Sequence, residues 1–418
     1  MARNTVFRYK GKDIDPQKAG NDLHVRAVVS GRLLQRGNTL IVRAELMNVA
    51  TGGQLWGGQY NRKPEDVFAL QDDLSREISE KLRLQLTGEE RQRLTKRYTE
   101  DSEAYRLYLK GRYHWNKRSP EGLQKAVEYF RKALDKDPAY SLAYAGLADT
   151  YAHLSFFNVV APREAMPKAK TAAEQGLEID KDLAEAHVSL GYISFTYEGD
   201  WPAAGKHFEQ ALTLNPAYSR AHTFYAFYLS SLGRSEEALE VANRALDLDP
   251  ASPAVSHSLA VQLYLARKFD RAIEQAYDTL EMDGNFAISY VVLGEVYLSK
   301  GMYRDGLSAL EKYSALSRRN ATSLAFLGYS HARLGERKEA LRMIEELKAA
   351  SQQSFVPALF VALVYAGLED KDQAFTWLEK AYEERFNRLA YLKVEALWDP
   401  LRSDPRFADL LRRVGIPP

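Results

Sequence analysis

Cysteine is absent from all 418 positions. That excludes disulfides, thiolate nucleophiles and cysteine-built metal sites. Long apolar runs are missing too: nothing reaches the ~18 residues a membrane helix needs. The opening Met1-Ala2-Arg3-Asn4-Thr5-Val6-Phe7-Arg8-Tyr9-Lys10 lacks the apolar core of a signal peptide. The compartment stays open: the chain reads as cytoplasmic as written, and as extracytoplasmic if a membrane span precedes Met1. Nor is there an excess of one charge. With 57 basic and 56 acidic residues the net charge is +1, which argues against a general nucleic-acid binder. No direct nucleic-acid contact is expected.

Chemistry-bearing motifs are equally scarce. There is no Gly-x-x-x-x-Gly-Lys-Ser/Thr loop, no Gly-x-Gly-x-x-Gly, no His-Glu-x-x-His and no Gly-x-Ser-x-Gly elbow. The eight histidines are scattered. His187 and His222 share one slot on successive helices, with no carboxylate or second histidine one turn away to complete a metal site. The chain therefore reads as non-catalytic, without metal or cofactor.

What is present is a repeat. Pro216 and Pro250 stand 34 apart, each closing a run Ala-Leu-x-Leu-x-Pro. Ala204, Phe208 and Ala211 precede the first, and Ala238, Ala242 and Ala245 the second. Stepping on by 34, the proline is lost but the anchors keep time: Ala272 and Ala276, Gly306 and Leu310, Ala340 and Ile344, Ala374 and Leu378. Backwards, Ala126, Phe130, Ala133 and Pro138 repeat the same spacing, followed by a degenerate unit with Ala169, Ala173 and Gly176. Upstream in each unit stands a second set, Leu190-Gly191, Tyr225-Ala226, Leu259-Ala260, Leu293-Gly294, Leu327-Gly328 and Val361-Ala362.

The pattern is that of two amphipathic helices per unit, with small residues where they cross. Glycine-bearing turns such as Leu232-Gly233-Arg234-Ser235 and Lys300-Gly301-Met302-Tyr303 end the first helix. A 34-residue helix–turn–helix with these anchors resembles the tetratricopeptide repeat family. The resemblance covers about residues 102–386, some eight units. It implies a mainly α fold, a solenoid in which each hairpin hides its apolar face against its neighbours. Insertions fall in the first three units, around Asn116 to Glu121, Leu154 to Met166 and Glu198 to Trp201. Pro162 and Pro167 blur the helix boundaries of the second. Residues 387–418, with Trp398-Asp399-Pro400-Leu401-Arg402-Ser403-Asp404-Pro405-Arg406-Phe407 and a short helix Ala408 to Val414, read as a C-terminal cap. That run is also similar to the endings of bacterial multidomain regulators with tetratricopeptide tails.

The front end, residues 1–87, is a small α/β module, joined to the array by a linker at 88–101. Val25 to Leu34 and Thr39 to Val49 read as strands around a Gly37-Asn38 turn, with Gln54 to Tyr60 as a third. Leu40, Val42, Ala44 and Leu46 share one face. Asp15 to Leu23 and Pro64 to Leu86 read as helices, the second carrying Val67, Leu70, Leu74, Ile78, Leu82 and Leu86. Val-Phe-Arg-Tyr-Lys-Gly at 6–11, Val-Arg-Ala-Val-Val-Ser-Gly-Arg-Leu at 25–33 and Gln-Leu-Trp-Gly at 54–57 resemble the TolB amino-terminal-like (FlgO-like) domain. That family's domain begins earlier, with a further strand and helix. The resemblance implies that Met1 is a boundary within a longer protein, with a DNA-binding, kinase or cyclase effector upstream.

In a tetratricopeptide solenoid the first helix of each unit lines the concave face. The slots that look inward collect Tyr192, Phe195, Arg220, Phe227, His257, Tyr264, Glu295, Tyr329 and Arg333. Aromatics with a few charges suit a peptide or protein partner, though the same rings also suit inter-repeat core. The Lys and Asn residues of a clamp for chaperone C-terminal carboxylates are absent from those slots. The function expected is a protein–protein interaction scaffold, the sensory or regulatory portion of a bacterial signalling protein. The alternative is a self-assembly module of an envelope-associated complex.

Overall fold

Each hairpin follows from a small residue on one helix meeting a bulky one on the other. A side-chain carbon placed on Gly191 would stand 2.8 Å from the Phe208 ring, and one on Gly294 would stand 2.5 Å from Leu310. The crossing is possible only because those positions carry nothing. The computed structural model describes residues 15–23, 25–37, 39–63, 66–81 and 96–417. The 6–11 motif, Asn38, Leu82, Leu86 and residues 88–95 lie outside the described residues.

Eight hairpins follow one another. Unit 1 pairs Ser102–Trp115 with Pro120–Lys136, and unit 2 pairs Ser141–Phe156 with Pro162–Ile179. Unit 3 pairs Ala184–Ile193, continued by a wide π-type turn over Ser194–Glu198, with Trp201–Leu214. Unit 4 is Ser219–Ser231 and Ser235–Leu248, and unit 5 is Pro253–Leu265 and Phe269–Met282. Unit 6 is Ser289–Ser299 and Tyr303–Leu316, and unit 7 is Ala321–Arg333 and Arg337–Ala350. Unit 8 is Ala358–Gly367 and Lys371–Glu383. The fold is a mainly α solenoid with a small sheet near its N-terminal end.

The turn inside each hairpin needs a left-handed residue. Gly199, Gly233, Arg267, Gly301, Gly335 and Glu369 all have positive φ, and each stands 34 after the last. Glycine adopts that conformation at little cost, so Arg267 and Glu369 are the exceptions. In the second unit, Pro162 opens the second helix where no amide is needed. Pro167 follows inside it without ending it, and the inserted turn shrinks to residues 157–161.

The anchors Ala126, Ala204, Ala238, Ala272, Ala340 and Ala374 are fully buried. Ala272→Leu is expected to cost about 1–3 kcal/mol by overpacking a crossing. A chemical denaturation midpoint equal to that of the parent chain would refute the close approach there.

Ahead of the array, β1 (Ala27–Arg36), β2 (Thr39–Asn48) and β3 (Gln54–Arg62) form an antiparallel sheet in the order β1-β2-β3. Its register pairs Leu33 with Val42 and Val42 with Tyr60. Pro16–Asp22 packs on β1 and β2, and Val67–Lys81 packs on β3. Leu46, Val49, Tyr60 and Leu70 are its buried centre. Phe68 meets Tyr105 of unit 1 with ring centroids 5.1 Å apart, which ties the module to the array.

Candidate functional site

The concave face divides into two unlike halves. Along units 3 to 8 it is filled by the chain's own C-terminal segment. After unit 8 the chain makes a 3₁₀ turn at Asn387–Tyr391, a second at Ala396–Leu401, and a helix at Pro405–Val414. Asn387 Nδ2 donates to the Tyr192 hydroxyl at 2.9 Å. The Tyr391 ring packs edge-on against Phe195 at 6.4 Å and Phe227 at 6.0 Å. Arg388 donates to Glu295 at 2.6 Å and also to Glu395, and its guanidinium lies 5.4 Å from the Phe326 ring centroid. Arg267, in its left-handed slot, grips Asp399 with two hydrogen bonds of 2.6 and 2.7 Å. Finally Ile416 joins the core of unit 3. The segment covers the last hairpin through Phe407 and Leu410, and it also returns to a hairpin some 190 residues earlier.

This segment is core. Leu389, Leu392, Leu397, Trp398 and Leu401 are all buried, each worth roughly 1.5–3 kcal/mol relative to exposure. Their sum is comparable with the ~5–15 kcal/mol net stability of a folded domain. Lifting it off would cost the fold itself.

Of the nine concave-face residues drawn from the sequence, Tyr192, Phe195, Phe227 and Glu295 thus face the chain's own C-terminal segment. Tyr264 and Tyr329 are buried among the helices. Arg333 donates to Glu369 at 2.6 Å and to the Tyr303 hydroxyl at 3.0 Å. His257 lies beside Phe286, and burial, with Arg118 adding to it, pushes its imidazole down to about 4. Arg220 belongs to a different group.

That group lines the other half of the face, on the first helices of units 1 to 4. Tyr108 and Arg112 come from unit 1, Leu142, Gly146 and Asp149 from unit 2, Glu185 from unit 3, and Tyr218 and Arg220 from the start of unit 4. Beneath two of its arginines lies the buried Trp115 indole. Arg112, Arg220 and Arg118 lie 4.8, 5.1 and 5.5 Å from its ring centroid. Arg220 forms an ion pair with Asp149. Burial raises the Asp149 carboxyl, but Arg220 and His153 outweigh it and hold it at about 2. Burial keeps His153 below the ordinary imidazole range and pushes Glu185 up.

Among the described residues, neither Arg112 nor Arg118 has a carboxylate within ion-pair distance. Burial, then the neighbouring Arg220, lowers Arg118 to about 10. Three guanidiniums therefore meet two carboxyls, Asp149 held ionised and Glu185 pushed up by burial. Arg112, Trp115 and Asp149 escaped the sequence reading because its inward slots were drawn from units 3 to 7, where the 34-residue spacing is regular, and Arg118 because it stands beyond its helix. The cue that could have found them is Arg112-Tyr113-His114-Trp115 followed closely by Arg118.

His187 meets a second histidine across the hairpin, not one turn along its helix: Nδ1 lies 3.0 Å from Nδ1 of His207. Two imidazoles fall short of a four-ligand zinc set, and among the described residues no third His, Asp or Glu joins them. Among the described residues, too, no helix is long and apolar enough to cross a membrane.

Comparison with known proteins agrees with this architecture. The tetratricopeptide repeat profile matches residues 195–263. Over 192 residues the chain is 32% identical to "Putative adenylate cyclase 3" of Rhizobium meliloti, covering 46% of this chain and 32% of that protein. It is 29% identical over 167 residues to the transcriptional regulator HilA of Salmonella typhimurium, covering 40% of this chain and 30% of that one. The chain thus spans about a third of the length of these curated relatives. Among solved structures, a human IFIT1 dimer with PPP-AAAA superposes with a TM-score of 0.51 at 17% identity, over 66% of this chain and 72% of that one. That likeness speaks to fold alone. The profile match marks residues 195–263 as tetratricopeptide repeat, and the hairpins on either side share its left-handed turns and small-residue crossings.

Proposed function

We propose that the chain is a non-catalytic scaffold that holds a peptide or protein against the first helices of units 1 to 4. Tetratricopeptide-repeat proteins generally mediate protein–protein interactions. One observation supports placing the contact in this half: it retains arginines without carboxylate partners among the described residues, whereas the other half is filled by residues 387–417. Rings beside guanidiniums give contact area at low entropic cost together with directional bonds.

The relatives' names, a cyclase and a transcriptional regulator, favour a bacterial signalling protein in which these repeats are the regulatory portion. The front-end resemblance to TolB amino-terminal-like modules fits the same setting, and we take residues 1–87 as that module, 102–386 as the array and 387–418 as its closing segment.

A photo-crosslinker tests the location. Benzoylphenylalanine in place of Tyr218, inside the open half, is expected to capture a discrete partner from bacterial extracts. The same group in place of Tyr277, exposed on a second helix, is expected to capture none. Equal capture at both positions, or capture at Tyr277 alone, would overturn the assignment.

A further inference from the structure

The open half of the concave face has an excess of donors over acceptors. Arg112, Arg118 and Arg220 surround one indole, and among the described residues only Arg220 has an ion-pair partner, Asp149. The indole itself is almost wholly buried, yet its Nε1–H has no hydrogen-bond partner among the described residues. A buried donor without an acceptor costs about 1–3 kcal/mol, and a guanidinium drawn out of water without a counter-charge costs more. Folding does not remove these costs. An anion reaching the half-buried guanidiniums would offset the second of them.

Arg118 adds a second observation. It sits just beyond the first helix of unit 1 with φ at +50°, a conformation that costs a non-glycine residue about 1–2 kcal/mol. The same slot in later units is mostly glycine. The backbone is thus held in a strained form that brings a charged side chain over Trp115.

We propose that the Arg112–Trp115–Arg118–Arg220 cluster binds the carboxylates of an acidic peptide segment of a protein partner. This rests on the peptide-holding reading given above and names the class of peptide. Carboxylates match the planar fork of a guanidinium with paired hydrogen bonds. A chain carrying several of them in extended form can reach Arg118 and Arg112 in succession along the first helix of unit 1. A nucleic-acid strand fits less well, because a phosphate backbone calls for a long basic track. Here Asp149 and Glu185 flank the arginines on two sides, and the whole chain carries a net charge of only +1.

The test uses the full chain and fluorescence anisotropy. The probe is a fluorescein-labelled peptide of alternating Glu and Gly, compared with its Gln counterpart, with inorganic phosphate as competitor and a single-stranded oligoribonucleotide of equal length. The Glu peptide is expected to bind at least about tenfold more tightly than the Gln peptide at low salt, the scale of one charge-assisted pair. That preference should shrink as salt is raised. Arg118→Met should remove about tenfold of the Glu-peptide affinity, and Arg118→Lys should keep part of it. Because Arg118 has no ion pair to lose among the described residues and its charge is uncompensated, the Met variant should match or exceed the parent denaturation midpoint. Arg112→Met provides an independent second variant should it not.

Equal affinity for the Glu and Gln peptides, or undiminished Glu-peptide binding by both Met variants, would overturn the proposal. If both peptides bind equally and the Tyr218 crosslink still forms, only the acidic class falls and the peptide-holding reading stands. Tighter binding of the oligoribonucleotide, or full displacement of the Glu peptide by equimolar phosphate, would also overturn it, by assigning the site to a strand or a free anion.

Discussion

Trp398→Ala is expected to destabilise the folded chain by about 3–5 kcal/mol, the range for removing a large buried aromatic. Trp398 is 1% exposed and packs in one cluster with Leu392, Leu397, Leu401 and Phe407. Its Nε1–H donates to Glu395 Oε2 at 2.8 Å. Truncation therefore opens a cavity and removes a hydrogen bond from a buried carboxylate. The denaturation midpoint of the variant is the readout, with the exposed Tyr113→Ala as a control that should shift by no more than about 0.5 kcal/mol. Equal midpoints for the two variants would mean that the C-terminal segment is a loose tail, not part of the core.

The second large effect is Arg388→Met. Arg388 lies between Glu295 on the first helix of unit 6 and Glu395 in the C-terminal segment. Burial opposes its charge, yet Glu395 and Glu295 hold the guanidinium protonated. Burial pushes the Glu295 carboxyl above the usual carboxylate range even with Arg388 present. Removing the cation leaves two carboxylates facing each other out of water, at an expected cost of about 3–5 kcal/mol at neutral pH.

The pH dependence follows with a definite sign. The Glu295 carboxyl, already raised by burial with the cation present, then stays above the unfolded value of about 4.3, so the folded state holds a proton that the unfolded state does not. Stability of the variant should fall as pH rises toward neutrality and recover as pH drops toward that unfolded value. The parent chain, with its cation in place, should show a shallower trend across the same window. Urea midpoints measured at several pH values decide it. A variant whose deficit does not shrink on acidification would refute the buried trio. Replacing Glu295 and Glu395 by Gln alongside Arg388→Met should restore much of the loss at neutral pH.

The solenoid was legible in the sequence because its determinants are local and periodic. Ala204, Ala238, Ala272, Ala340 and Ala374 are small for one shared reason, the close helix crossing, and Gly199, Gly233, Gly301 and Gly335 for another, the left-handed turn. Both recur at the same interval, so each unit corroborates the next. The C-terminal segment was legible only as a terminator. Nothing near Asn387 or Tyr391 announces that their partners are Tyr192, Phe195 and Phe227, because the pairing depends on how far the superhelix has turned after five units. The rings expected to greet a partner were identified by slot, and slot does not reveal that the chain itself arrives there. The arginine cluster was obscured differently. Asp149 stands eight places after the start of its helix, as Tyr192 and Tyr329 do, but Arg118 lies beyond its helix and the group meets Arg220 only in three dimensions.

Simple repeat arrays tolerate changes in length, since each hairpin touches only its neighbours and stability adds unit by unit. Here the bonds from Asn387 to Tyr192 and from Arg388 to Glu295 bind the ends of a six-hairpin stretch to each other. Adding or deleting one hairpin inside that stretch would rotate Tyr192 away from Asn387 and leave Tyr391 without Phe195. The copy number between units 3 and 8 is therefore locked, like the number of staves in a hooped barrel. Units 1 and 2, outside the hoop, remain free to diverge with whatever they grip.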